Sequence, residues 1–131
     1  MKYLLMDILA CPVCKHFPLK LIVIEKDSHS EHKLPWDKIP CEAFCGRLMK
    51  SVEKARPDIS TCRECFKEEI VTGVLYCEKC QRWYPIIEEI PRMLPDQLRD
   101  ERRNLAFLEK HREKLPEEIV KHGKPFNLAQ H

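Results

Sequence analysis

The sequence predicts an α+β domain of short antiparallel strands, with a helical insertion and a C-terminal helical tail. Three observations predict it. Two Cys-x2-Cys turns, Cys11 to Cys14 and Cys77 to Cys80, each lie beside a β-branched run of strand length. Between those runs, residues 27–69 lose strand character and hold four further cysteines. Past residue 95, leucines recur at helical spacing.

In chain order, Leu4, Leu5, Ile8 and Leu9 suit a short helical turn or a strand entering a turn, and Cys11-Pro12-Val13-Cys14 follows. Leu19, Leu21, Ile22, Val23 and Ile24 form the first strand, which the polar run EKDSHSEHK ends as a loop. Within 27–69, Phe44, Leu48, Met49 and Val52 recur at helical spacing and Pro57-Asp58 marks a break. Ile70 to Tyr76 returns to strand composition, and Trp83, Tyr84 and Ile86 make a second short strand after Cys80. Leu98, Leu105, Leu108 and Leu115 then describe one face of a helix that Pro95-Asp96 can start and Pro116 ends. A last short helix runs from Pro116 to His122, with Gly123 as its stop. The expected organisation is a discontinuous ribbon over 1–26 and 70–95, an insertion over 27–69, and a tail over 96–131.

The totals limit the function. A chain of 131 residues is one domain rather than a multidomain enzyme. Lys and Arg number 23 against 21 acidic residues, so a net charge of +2 supplies no general attraction to nucleic acid or anionic membrane. Three glycines are too few for a Gly-rich phosphate loop, and there is no Ser-His-Asp set, so the sequence gives no sign of an enzyme. The start MKYLLMDILAC resembles a lipoprotein signal, but Asp7 interrupts its apolar region. No apolar run approaches the roughly 18 residues of a membrane span. Eight cysteines in such a chain fit a reducing, cytoplasmic setting in which thiols bind metal.

Cys11, Cys14, Cys77 and Cys80 are the expected zinc ligands. Each Cys-x2-Cys turn aims two thiolates at one point and frees backbone N–H groups for the sulfurs, and two such turns make a zinc ribbon. A structural zinc of this kind contributes on the order of 10 to 16 kcal/mol of apparent binding energy. Four thiolates leave no open position for water, so the metal is structural, not catalytic. Cys41, Cys45, Cys62 and Cys65 form a second group. An i, i+4 pair on a helix and a third Cys-x2-Cys turn can hold another zinc, with His29 and His32 as candidate substitutes, or form two disulfides, or stay buried as free thiols.

Pro85, Pro91 and Pro95 cannot donate to a strand ladder, which keeps residues 84–95 at the margin of any sheet. That margin is rich in Ile, Met and Leu, and an exposed apolar edge calls for cover. Either the leucine face of the tail folds over it, or another protein adds to it.

ILACPVC near the start, with YCEKCQRWYPIIEEIPRML after a long gap, resembles the small zinc-ribbon subunit that activates tRNA, rRNA and release-factor methyltransferases, the multifunctional methyltransferase subunit family. The resemblance covers about residues 1–24 and 70–95. It implies a non-catalytic partner in a heterodimer: the methyltransferase carries S-adenosylmethionine and the active site, and RNA is met only through the complex. Carried onto this chain, it makes Cys11, Cys14, Cys77 and Cys80 the zinc ligands, and Tyr84, Pro85, Ile86, Ile90, Pro91, Met93 and Leu94 the residues that form or support the docking edge. The family often has Gly where Gln81 and Glu89 stand, so those turns carry strain or a different shape. The competing reading is a free-standing nucleic-acid-binding zinc ribbon of the transcription or translation machinery. Arg82-Trp83-Tyr84 hints at it, but Glu78, Glu88 and Glu89 balance the nearby cations.

Overall fold

The computed structural model describes residues 1–130. A 3-10 turn, Tyr3–Asp7, precedes the first knuckle, and β1 (Lys20–Ser28) follows it. Then come β2 (Phe44–Cys45), β3 (Lys50–Ser51), α1 (Val52–Ala55) and α2 (Ile59–Lys67), before β4 (Glu68–Tyr76) and β5 (Trp83–Ile87) flank the second knuckle. A short β6 (Ile90–Pro91), α3 (Glu101–His111) and α4 (Glu117–Val120) complete the chain. The strands form one antiparallel sheet in the order β1-β4-β5-β6, and β2 pairs with β3 separately.

Alternation along β4 and β5 sorts their side chains onto two faces, both covered. Leu75, Tyr84 and Ile86 pack with Met1, Tyr3, Met6 and Leu19 on one face. Val74, Tyr76 and Trp83 pack with Phe107, Leu108, Leu115, Ile119 and Val120 on the other. Burial on both sides explains why these strands read as continuous apolar runs. The tail therefore covers the Trp83 face of the sheet and not the strip after the second knuckle. Leu108 and Leu115 are buried there, whereas Leu98 is 64% exposed. Gly123 stops the tail against Trp83. A Cβ at Gly123 would lie 2.5 Å from the Ile119 carbonyl oxygen and 2.7 Å from Trp83 Cδ1, so no larger residue fits. Trp83 Nε1 donates to the Phe126 carbonyl at 2.9 Å, which ties the chain end to the same ring.

Three local expectations change. The first strand runs on to Ser28, because Glu25, Lys26 and Asp27 pair with Thr72, Ile70 and Glu69 along an outer edge where polar side chains face water. The tail helix starts at Glu101, capped by Asp100, whose carboxylate accepts from Arg103 N at 3.0 Å, rather than at Pro95-Asp96. Residues 44–51 form a hairpin and not a helix, with Val52 opening the short α1, so Cys41 and Cys45 are no helical pair. Asp7 anchors the segment: its carboxylate accepts from the N–H groups of Glu42, Ala43 and Phe44 at 3.0, 2.7 and 2.8 Å. Those bonds fix the segment against the first turn, and Met49 takes a left-handed φ of 53° that a right-handed helix does not accommodate. Leu48 and Met49 end up exposed.

Candidate metal centre and apolar edge

The two knuckles are built alike. Cys11 N donates to the His16 carbonyl at 2.9 Å and Lys15 N to the Cys11 carbonyl at 2.9 Å; Cys77 N donates to Arg82 O and Gln81 N to Cys77 O, both at 2.8 Å. Lys15 and Gln81, each following its second cysteine, share a left-handed φ of 67°. Glu89 also takes a left-handed φ, 70°. The glycine-like geometry thus survives at both positions where Gln81 and Glu89 stand, at a cost of about 1 to 2 kcal/mol per residue.

Pairing of β1 with β4 and of β4 with β5 brings the knuckles together, and the ligand atoms of Cys11, Cys14, Cys77 and Cys80 all lie within 4.8 Å of one another. Cys11 Sγ is 3.6 Å from Cys80 Sγ, and Cys14 Sγ is 3.4 Å from Cys77 Sγ. A tetrahedron of ~2.3 Å Zn–S bonds has edges of about 3.8 Å, so the quartet fits zinc. The surroundings prepare one thiolate. Burial pushes the Cys11 thiol up, but the backbone N–H groups of Cys14 and Val13, the Tyr84 hydroxyl and Cys80 more than offset it, lowering its pKa to about 6. The Tyr84 hydroxyl lies 3.3 Å from Cys11 Sγ, and burial with that sulfur beside it raises the phenol's own pKa. Cys77 is pushed up, first by burial and then by the neighbouring thiols.

Arg82 clamps the outside of the second knuckle. Its guanidinium meets the Asp96 carboxylate through Nε at 2.9 Å and Nη2 at 2.6 Å, which holds Asp96 below the usual carboxylate range. Arg99 is a residue the sequence did not flag. It is buried, donates to the Trp83 carbonyl at 2.5 Å and to Asn104, and stacks on the Trp83 ring with its carbon 4.7 Å from the centroid. Burial lowers its pKa to about 10. Nothing in its spacing separates it from the other tail arginines; only the fold places it inside.

The second cysteine group is assembled differently. Cys45 sits on β2, Cys62 and Cys65 on α2, and Cys41 precedes the hairpin. Burial raises Cys41 to about 11 and Cys65 to about 12. All eight cysteines are free of disulfides. His29 and His32 gather with Glu31, not with the cysteines, and Lys2 Nζ lies 2.6 Å from His32 Nδ1.

The docking candidates divide into two layers. Tyr84, Pro85 and Ile86 are buried in β5, beneath the edge. Pro91 and Met93 are half-buried, and Ile90 and Leu94 are 53% and 43% exposed. Ile90 pairs with Ile87 at the open margin, and Ile87, Leu94 and Leu98 line one groove of about 430 Å³ with Pro85, Arg92 and Arg103. No described helix is long and apolar enough to cross a membrane.

Compared with models of protein families, the chain matches that of the Trm112p-like proteins over residues 2–89, a span that holds both knuckles and the insertion. Compared with curated proteins, it finds no match.

Proposed function

The chain belongs to the Trm112p-like family, whose members are small activator subunits of multiple methyltransferases, and we propose that it is the non-catalytic subunit of a cytoplasmic heterodimer. Its partner would be an S-adenosylmethionine-dependent methyltransferase acting on tRNA, rRNA or release factor, with cofactor and active site both on the partner. The observation that carries the reading is the apolar margin of Ile87, Ile90 and Leu94 at the short edge strand β6, which stays exposed and is continued by Leu98 at the start of the tail. Tyr84, Pro85 and Ile86 support it from below, and Pro91 and Met93 shape its rim.

Cys11, Cys14, Cys77 and Cys80 would hold zinc as a structural ion, pinning the two hairpin ends so that β5 and β6 keep their register. Covering a partner's apolar surface stabilises its folded state by mass action, by about 2.7 kcal/mol when the subunit stands at 100 times its dissociation constant. It also favours whichever partner conformation presents that surface. A free-standing nucleic-acid binder is less well supported, since several cations are matched by acids: Arg82 beside the second knuckle with Asp96, and in the tail Arg103 with Asp100, Arg112 with Glu109 and Lys121 with Glu117.

Co-expression with methyltransferases of the same cell tests the reading. A methyltransferase should co-purify and gain activity, and the double variant Ile90→Asp, Leu94→Asp should abolish both while keeping its zinc. Tight, steeply salt-dependent RNA binding by the isolated chain, with no methyltransferase gaining activity, would overturn it.

A further inference from the structure

The insertion is ordered without a core of its own. Between residues 27 and 69 only Phe44, Cys45, Gly46, Pro57 and Cys62 are buried, while Trp36, Ile39, Leu48 and Met49 are exposed. A segment of this size with so few buried side chains ordinarily needs a staple, either a metal or disulfides. All four of its cysteines line one cavity of about 20 Å³. They reach it in a telling order: Cys41 and Cys45 frame the entry to the β2-β3 hairpin, and Cys62 and Cys65 lie one turn apart on α2, the next long element. Four thiolates from two short elements can supply the tetrahedral set that a structural zinc takes.

We propose that Cys41, Cys45, Cys62 and Cys65 bind a second structural zinc ion, which holds the hairpin to α2. The cavity exceeds the ~10–15 Å³ that a water-sized sphere needs, so there is room for an ion between the four side chains. The four sulfurs are not gathered as closely as those of the first quartet, so binding requires the side chains to turn inward. Four protons leave as the thiols become thiolates, and the Zn(Cys)4 unit carries a charge of −2. Arg47 and Lys2 line the cavity and are the cations nearest that charge; each is also paired, with Glu68 and Glu69 respectively. Disulfides fit less well, because the same chain must keep four other cysteines reduced as thiolates for the first site.

Elemental analysis of the full-length chain, purified without chelator, gives the test. Two zinc ions per chain are expected, falling to one in Cys62→Ser, with the thiols of Cys41, Cys45 and Cys65 protected from alkylation in the native protein and exposed in the variant. Cobalt replacement should likewise require two equivalents to saturate the thiolate-to-metal absorption. One zinc per chain, with these four cysteines mapped as disulfides or alkylated in the native state, would overturn the proposal. The wild-type count decides even if the variant fails to fold. None of these readouts involves a methyltransferase, so they stand apart from the activator reading.

Discussion

The cysteines of the ribbon and those of the insertion are the same in number and differ in what brings them together. In the ribbon, strand pairing places both knuckles, so the sulfurs of Cys11, Cys14, Cys77 and Cys80 meet and one thiol is held near pKa 6 before any ion is considered. In the insertion, a two-residue strand pair and a nine-residue helix do the placing; Cys41 and Cys65 stay at about 11 and 12, in surroundings that favour the neutral thiol. The difference teaches that a long antiparallel ladder organises a metal site ahead of its metal, whereas a segment with little core depends on its ligand for that organisation.

The largest expected effect is on the ribbon side. Cys77→Ser should remove zinc from the first site and with it the cooperative thermal transition, because about 10 to 16 kcal/mol of apparent binding energy exceeds the net stability of most small domains. Cys62→Ser should leave the amides of β4 protected from hydrogen exchange. Equal loss in both variants would erase the distinction between the two regions.

Next in size is Leu108→Ala, which empties a fully buried position on the Trp83 face. A loss of about 2 to 5 kcal/mol is expected from the urea midpoint, without any change in the alkylation of the insertion cysteines.

Asp7 joins the two regions, so it tests their independence. Its pKa is lowered: burial raises it, and the three N–H groups of Glu42, Ala43 and Phe44 outweigh that. Because the folded pKa is depressed, the stabilisation is present above the unfolded aspartate value and is lost as pH falls through the folded one. The amide resonances of Glu42 to Phe44 should titrate in that acid range. Asp7→Asn should loosen the insertion by roughly 2 kcal/mol while sparing the zinc of the ribbon.

The smallest effect is a gain. Gln81→Gly relieves a left-handed residue beside the second knuckle and should raise stability by about 1 kcal/mol or less, since glycine also loosens the unfolded chain. A loss would mean that the Gln81 side chain has a role beyond the turn.

The ribbon and the gathering of Cys11, Cys14, Cys77 and Cys80 were legible because spacing encodes them: the paired knuckles, the β-branched runs and the prolines each act locally. The insertion was legible only in part: α2 follows the Pro57-Asp58 break, but residues 44–52 carry a helical period that long-range contacts override, with Asp7 anchoring Glu42 to Phe44 and β2 pairing with β3. The edge was legible in part. Its prolines and apolar residues announced a margin, but alternation alone did not say that Tyr84 and Ile86 point into the core while Ile90 and Leu94 face out. Arg99 was out of reach for the same reason, since its burial depends on how the tail returns across Trp83.

Hydrogen exchange on the chain alone and in complex with a co-purified methyltransferase tests the central claim most directly. Amides of residues 87–98 should gain protection on binding, while those of 41–65 stay as they are. Protection that appears over 41–65, with the β6 margin unchanged, would contradict the claim and make the insertion the docking surface.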